Sequence, residues 1–312
     1  MWVSAFCVVA FDNDLGQTLE LQYPAVLSET EQRTVAFLSF PDSNSFNAEG
    51  DVTYLFRMKK GTQSSILERE FYYGFVFFRL CRDASKPRGY FQKSIVVLTT
   101  LPYVSVFRQV VSAMGPLYFA HGESLFESAK NCIDSWPPPA PSLNVELPFL
   151  GSVLTFHTPM ETYNLSNEPR DLEAASLPSI LEAVDQSFPG LFQDLSLVGT
   201  LRQQLCTRYL WHLWELVLTG QGVMVIADSP AISSEAVLAL VSLVAPLAYM
   251  GDFRPYITLF DPDFKDFQTM NDEKSVSQVI LGTTNPFFLK TLKNWPNILH
   301  LHYSPSGELL FQ

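Results

Sequence analysis

The chain has few charged residues, and positive charge is the scarcer kind. Charged residues make up 17% of its 312 positions, and 20 Lys and Arg stand against 32 Asp and Glu, a net charge of −12. At 47% hydrophobic residues it is not disordered, since disorder needs low hydrophobicity and high charge density. The shortage of cations argues against nucleic acid as a partner and against docking on an anionic membrane. The length is typical of about two domains.

Cysteine pairs and long apolar runs are also missing. The four cysteines stand at positions 7, 81, 132 and 206, so none has the CxxC spacing of a zinc knuckle or thioredoxin-type motif. Cys7 and Cys206 fall in apolar patterns typical of buried thiols in a reducing compartment. No uncharged apolar run reaches the 18 or so residues of a membrane span, and the basic segment of a signal peptide is missing. We therefore expect a cytoplasmic protein without direct membrane insertion.

The motifs of conventional enzymes are missing as well. No GxxxxGK[ST], GxSxG or HExxH sequence occurs. The turn at 228–231, DSPA, lacks the glycines that let backbone N–H groups approach a phosphate. We expect no catalytic residues, no cofactor and no metal site.

Two weaker patterns leave metal binding open as an alternative. Asp261, Asp263 and Asp266 have a spacing that can hold Mg²⁺ or Ca²⁺, but the glycine and terminal Glu of an EF-hand loop are missing. A solvated acidic loop is the favoured interpretation. His212 and Glu215 lie at i and i+3 of a predicted helix, where a structural pair is favoured over half of a metal site.

The first 135 residues have the pattern of an antiparallel sheet with helices. Residues 2–11 predict a buried strand, and 18–23 alternates like its hairpin partner. Ser28 and Glu31 form a capping box that begins a helix. Further strands are predicted at 51–58, 71–82 and 91–101, and helices at 104–114 and 121–134. This order is typical of an α+β layer architecture.

Four prolines within residues 136–142 mark a boundary. Such a run favours extended polyproline II and acts as a semi-rigid spacer, although it could also be an SH3 ligand. Beyond two short strands at 143–147 and 152–158, helices and strands alternate. Helices are predicted at 197–218 and 236–247, and strands at 223–227, 256–260, 276–281 and 298–302. This alternation predicts a three-layer α/β domain over 143–312, so the chain is α/β overall.

Two short segments combine the residue types that dominate protein interfaces. One is the predicted hairpin tip near residue 90, and the other is a helix–strand junction near residue 253. Their candidate contact residues are Arg88, Tyr90, Lys93, Asp252, Phe253 and Arg254. Arg and Tyr are enriched in binding hot spots, and element ends carry function, so we expect these side chains to be exposed. The alternative is that Tyr90, Phe91 and Phe253 are core residues that fix the sheet edge.

Six stretches of the sequence resemble signature segments of DENN-domain proteins. They are residues 40–45 (FPDSNS), 88–94 (RGYFQKS), 101–103 (LPY), 213–218 (LWELVL), 252–256 (DFRPY) and 284–288 (TNPFF). They occur in the family's order and are spread over nearly the whole chain. The sequence is most similar to the subfamily numbered six, close to the Avl9-like branch.

The resemblance implies a fold and a function. DENN-domain proteins are guanine-nucleotide exchange factors for Rab GTPases, with a longin-like lobe, a Rossmann-like α/β core and a helical third part. It implies a longin-like lobe at 1–135, a proline-rich linker at 136–142 and the DENN core at 143–312, with the helical third part absent from this chain. It also implies recruitment from the cytoplasm to recycling endosomes, where the protein would promote GDP release from an endosomal Rab.

Nucleotide exchange of this kind needs no acid–base chemistry. A Rab that holds GDP at nanomolar to picomolar affinity gains roughly 12–16 kcal/mol from it. An exchange factor replaces those contacts with its own and stabilises the nucleotide-free Rab with its switch segments open. We expect a contact of roughly 2,000 Å² at the cleft between the lobes. The alternatives are a non-catalytic scaffold that binds a Rab or another partner, and a metabolic α/β enzyme with an unrecognised site.

Overall fold

A computed structural model of the chain describes two sheets and their helices. It covers residues 1–12, 14–42, 49–61, 70–85, 89–139, 144–157, 207–244, 249, 251–269, 278–303 and 309–311. Strands and helices are both substantial, so the fold is mixed α/β. Among the described helices, none combines the length and apolarity needed to span a bilayer.

The first sheet is antiparallel and lies with three helices in what we call the N-terminal lobe. Its strands are β1 (Ala5–Asp12), β2 (Gly16–Tyr23), β3 (Gly50–Lys59), β4 (Phe71–Arg82) and β5 (Tyr90–Thr99). Its helices are α1 (Glu29–Leu38), α2 (Val104–His121) and α3 (Ser124–Asp134). The strand order is β2–β1–β5–β4–β3. The predicted capping box is confirmed, because Ser28 and Glu31 exchange hydrogen bonds at the start of α1.

Alternation along the strands gives the first sheet two buried faces. Phe75 and Phe77 of β4 pack on the side of α2 and α3, and Val76 and Phe78 pack on the side of α1. Successive side chains of a strand point to opposite faces, so these four residues follow directly from a period of two. With helices on both faces, the strands become continuous apolar runs.

A separate hairpin follows the proline run and packs against the N-terminal lobe. Its strands are β6 (Asn144–Phe149) and β7 (Ser152–His157), which contact α3 and α2 respectively. The indole N–H of Trp136 donates a hydrogen bond to Pro148 O of this hairpin at 2.8 Å. The sequence assigned these residues to the second domain. A division of the chain at 136–142 stays a prediction.

The second sheet is mainly parallel and belongs to what we call the C-terminal lobe. Its strands are β8 (Val223–Ala227), β9 (Asp252–Arg254), β10 (Val279–Thr283), β11 (Asn297–Tyr303) and β12 (Leu309–Phe311). Its helices are α4 (Thr207–Leu218), α5 (Pro230–Ser242), α6 (Phe264–Thr269) and α7 (Phe288–Thr291). The order is β12–β11–β8–β10–β9, in which β12 alone is antiparallel to its neighbour. Helix α5 covers one face, and α6 and α7 cover the other.

Two predicted elements of the C-terminal lobe were placed wrongly. The edge strand is β9, not residues 256–260, because Pro255 follows it at once and has no N–H to continue the ladder. Helix α5 begins at Pro230 rather than Ala236, since the Ser229 side chain caps it by accepting from Ile232 N at 3.3 Å. A Ser cap followed by Pro at the first position is a strong start signal that the sequence analysis missed.

The two lobes share one apolar core. Helix α5 lies against β3 of the first sheet as well as against its own sheet. Its buried Val237 and Leu240 therefore belong to the same cluster as Leu55 and Phe75 of the N-terminal lobe. The junction between the lobes is thus a packed interface, and its rim is where polar residues of both lobes meet.

Candidate interface at the junction of the two lobes

Strand β3 presents one face to the C-terminal lobe. Tyr54, Phe56 and Met58 point to the core beneath α1. Arg57 and Lys59 alternate with them and reach carboxylates of the other lobe. Because side chains alternate between the two faces of a strand, Arg57 and Lys59 both lie on the face at the junction.

Arg57 is held between two aromatic rings that belong to different lobes. Its guanidinium carbon lies 3.5 Å from the ring centre of Phe71 on β4 and 4.1 Å from that of Phe253 on β9. One terminal nitrogen donates to Asp252 Oδ1 at 3.1 Å and to Phe253 O at 3.2 Å. Burial lowers the pKa of Arg57, while nearby groups including Asp252 oppose this. A planar cation suits this slot, because guanidinium stacks on aromatic faces and is weakly hydrated.

Arg254 is the most deeply buried charge at the junction, with a relative exposure of 1%. Its guanidinium donates to Asp252 at 3.1 Å, to Asp263 at 2.7 Å and to the backbone oxygen of Arg57 at 3.4 Å. Burial alone would lower the pKa of Arg254, but the carboxylates around it raise the pKa overall. The side chain therefore joins the carboxylates of its own lobe to the backbone of the other.

Further ion pairs cross the junction at its rim. Lys59 Nζ lies 2.7 Å from Asp263 and 3.7 Å from Asp266. On a different pair of elements, Arg108 of α2 lies 2.7 Å from Glu235 of α5. In all of these pairs the cation comes from the N-terminal lobe and the carboxylate from the C-terminal lobe.

A second polar network joins the lobes at the carboxyl ends of β9 and β10. The backbone N–H of Asp42 donates to the Tyr256 hydroxyl at 2.9 Å, and Asn285 Nδ2 donates to Asp42 Oδ2 at 3.2 Å. Burial raises the pKa of Asp42, and the hydrogen bond from Asn285 partly opposes this. Tyr256 is fully buried and packs edge-to-face on Tyr54 of β3, with ring centres 5.2 Å apart.

Three aromatic side chains border this network and form what we call the junction patch: half-buried Phe37 and exposed Phe260 and Phe287. Phe37 of α1 stacks on Phe260 of the C-terminal lobe, with ring centres 5.1 Å apart. Phe260 is nevertheless 59% exposed and Phe287 is 48% exposed. Phe287 is tied to the junction because its N–H donates to Asn285 Oδ1 at 2.9 Å. Exposed aromatic rings at a seam between lobes are typical of interaction sites.

The expected exposure of the second candidate segment was wrong for Phe253 and Arg254. Both are buried, at 6% and 1% exposure, because β9 is the edge strand that faces β3. Asp252 keeps 17% of its side chain exposed while it pairs with both arginines. Phe253 and Arg254 therefore form part of the contact between β9 and β3.

The favoured view of Asp261, Asp263 and Asp266 as a solvated loop was also wrong in part. Asp261 is buried and Asp263 binds two cations, while Asp266 stays exposed. Within the described residues, no three His, Cys, Asp or Glu side chains are grouped to hold a metal ion. These carboxylates serve instead as partners of Arg254 and Lys59.

The hairpin-tip candidates lie far from the junction. Tyr90 is 43% exposed and pairs in register with Arg82, whereas Lys93 forms a 2.6 Å ion pair with Glu20. Arg88 lies outside the described residues. The tip and the Arg57 end of the sheet are separated by nine steps along β4, or about 30 Å at roughly 3.3 Å per residue. The two candidate segments therefore do not form one compact site.

The sequence analysis also missed residues at the junction, namely Arg57, Lys59 and Phe260. Arg57 and Lys59 carried a usable signal, since two cations at i and i+2 within an aromatic strand predict one polar face. The sequence around Phe260 was misleading, because the residue ends an apolar run that is typical of a buried strand. Its exposure depends on the turn after Pro255.

Asp261 gives the junction a measurable pH dependence. Burial raises the pKa of Asp261 to about 6, well above the usual range of an aspartate. Because the folded pKa is the higher one, the charged carboxylate opposes folding above pH 6, and this opposition fades as the pH falls toward 4. We expect Asp261→Asn to raise the Tm by about 2–4 °C at pH 8 and by less at pH 4.5. Thermal unfolding at both pH values checks this, and a lower Tm of the variant at pH 8 would contradict it.

Comparison with known proteins places these features in a family. The family model described as "Stabilization of polarity axis" matches residues 197–302. The chain is 39% identical to Protein DENND6A of Gallus gallus over 96% of its length and 53% of the relative's. It is 39% identical to Protein DENND6B of Homo sapiens over 99% of its length and 55% of the relative's. The chain belongs to the DENND6 family of DENN-domain proteins.

The similarity reaches distant DENND6 relatives as well. Protein DENND6 homolog of Dictyostelium discoideum is 36% identical over 96% of this chain and 49% of its own length. The chain spans about half the length of the curated relatives it matches. The DENND6 matches include both lobes and the junction between them, so the resemblance deduced from the sequence is confirmed.

Proposed function

We propose that this chain promotes GDP release from a Rab-family GTPase by binding its nucleotide-free state across the junction of the two lobes. Membership of the DENND6 family supports the Rab as partner, since DENN-domain proteins are known for Rab exchange. The observation that carries the location is the junction patch, where exposed Phe260 and Phe287 adjoin residues of the other lobe. A partner seated there would contact both lobes at once.

The proposed mechanism is one of differential binding. Apolar contact with the patch would hold Rab switch segments in a conformation that no longer grips nucleotide and Mg²⁺. Burial of the exposed aromatic rings would stabilise the complex by roughly 25 cal/mol per Å² of apolar area removed from water. No proton transfer is involved, and residues of this chain act by shape and position.

The sequence-derived candidates take two different roles in this proposal. The candidates for direct contact at the hairpin tip are Tyr90 and Lys93, together with Arg88, which lies outside the described residues. Asp252, Phe253 and Arg254 act from beneath by holding β9 against β3. A large Rab interface of roughly 2,000 Å² could extend from the junction along the sheet.

We also propose the finer features implied by the family. These are a longin-like lobe at 1–135, a proline-rich linker at 136–142, a Rossmann-like core at 143–312, and recruitment from the cytoplasm to endosomal membranes. The antiparallel first sheet and the mainly parallel second sheet support the two lobe types. Limited proteolysis followed by mass spectrometry of the fragments tests the division.

Release of fluorescent GDP from a panel of purified Rabs tests the proposed function. We expect the chain to accelerate release from one or a few Rabs by at least about tenfold at micromolar concentration, while other Rabs keep their intrinsic rate. EDTA-stimulated release of the same Rabs serves as the positive control for loading. Binding without acceleration on every Rab would favour the scaffold alternative, and neither binding nor acceleration would overturn the proposal.

A further inference from the structure

The ion pairs that cross the lobe junction in the described residues are sorted by sign. Arg57, Lys59 and Arg108 belong to the N-terminal lobe. Their partners Asp252, Asp263, Asp266 and Glu235 belong to the C-terminal lobe. We call these seven residues the charge seam. Opposed faces of opposite sign attract each other in one register and repel in others.

The ion pairs of the charge seam lie at two separate places along the junction. One is the contact of β3 with β9, where Arg57 meets Asp252, and the other is the contact of α2 with α5, where Arg108 meets Glu235. The shared apolar core holds the lobes together, but apolar packing is non-directional. Two ion-pair contacts on different elements add directional constraints on the angle between the lobes.

Arg57 adds a further geometric constraint. Its guanidinium lies between Phe71 and Phe253, and its two hydrogen bonds end on the C-terminal lobe. A planar group sandwiched in this way resists both sliding and rotation of β9 against β3. A flexible lysine would keep the charge but lose the stacking.

We propose that the charge seam sets the angle between the two lobes, and that Arg57 and Arg108 are positioning residues for nucleotide exchange. This inference rests on the proposed function, because a Rab that spans the junction needs its two contact surfaces at a fixed spacing. If the angle fluctuates, a smaller fraction of molecules is competent to bind, and apparent affinity falls by that fraction. The seam thus acts through the geometry of the patch.

A charge swap at Arg108 and Glu235 tests the proposal, since this pair is partly exposed and its loss leaves the buried cluster intact. The variants are Arg108→Glu, Glu235→Arg and both together. The matched control is Arg79→Glu, which breaks an ion pair with Asp51 of similar exposure inside the N-terminal lobe.

The first readout is the distance between the lobes, measured by pulsed electron paramagnetic resonance. Spin labels are placed at exposed Ser128 of α3 and Lys293 after α7, in a background where Cys81, Cys132 and Cys206 are replaced by serine and buried Cys7 is kept. We expect Arg108→Glu to broaden the distance distribution, the double variant to restore it, and Arg79→Glu to leave it unchanged. An unchanged distribution in Arg108→Glu, or no recovery in the double variant, would overturn the proposal.

The second readout is steady-state exchange on the responsive Rab. We expect Arg108→Glu and Arg57→Lys to raise KM by about three- to tenfold with kcat nearly unchanged, and the charge swap to recover most of the loss. A simple folding defect would instead lower kcat per total protein at constant KM, and that result would contradict a positioning role. If wild-type protein accelerates no Rab, the proposed function fails, while the distance measurement still decides whether the seam sets the lobe angle.

Discussion

Arg254→Ala should lower the free energy of unfolding by about 3–5 kcal/mol, the largest stability effect we expect from any single charge at the junction. The side chain is 1% exposed and bonded to Asp252 and Asp263. Its removal would leave two partly buried carboxylates without one of their cations and would open a cavity between β9 and β3. Chemical denaturation followed by fluorescence measures the loss.

A matched pair of variants separates this effect from the loss of any arginine. Arg82→Ala removes a side chain that is 77% exposed and paired with Glu49, so its cost should stay within about 0.5 kcal/mol. The cost of Arg254→Lys should fall between these two values, because a lysine ammonium cannot donate to both carboxylates in the way that the forked guanidinium does. Equal costs for Arg254→Ala and Arg82→Ala would show that Arg254 does not stabilise the junction.

Phe260→Asp should reduce kcat/KM for Rab exchange by about 10- to 100-fold and leave the Tm nearly unchanged. The ring is 59% exposed, so its replacement disturbs little of the core. In the complex, however, a carboxylate would be buried where an aromatic ring had packed, and hot-spot losses of about 2 kcal/mol or more are typical. Fluorescent-GDP release over a range of protein concentrations gives the ratio.

The control for this prediction is an aromatic residue of equal exposure elsewhere. Tyr209 on α4 is 61% exposed, and Tyr209→Asp should leave exchange unchanged. Phe287→Asp should resemble Phe260→Asp, since both rings border the junction network. If Tyr209→Asp reduces exchange and Phe260→Asp does not, the Rab contacts α4 rather than the junction patch.

The elements that the sequence predicted well are those whose causes are local. The capping box at Ser28 needs two residues three positions apart, and it forms as expected. Residues 223–227 form a central strand, because a short continuous apolar run is stable only where both of its faces are buried. Both signals lie within a few residues of the structure that they specify.

The candidate site could not be predicted in the same way, because its contacts are long-range. Arg57 and Asp252 are 195 positions apart, and Asp42 and Asn285 are 243 apart. Whether Arg254 is exposed depends on which strand lies beside β9, and composition around residue 254 holds no information about β3. Phe253 and Arg254 of the motif DFRPY were therefore assigned wrongly to the surface.

The affinity of the chain for nucleotide-free Rab, compared with its affinity for the same Rab loaded with GDP and Mg²⁺, tests the central claim most directly. Linkage requires that if the factor lowers the affinity of the Rab for GDP, GDP lowers the affinity of the Rab for the factor by the same ratio. We predict a preference for the nucleotide-free Rab on the order of 100-fold, measured by interferometry with and without added GDP. Equal affinity for the two states would contradict exchange activity and identify the chain as a scaffold that binds a Rab without releasing its nucleotide.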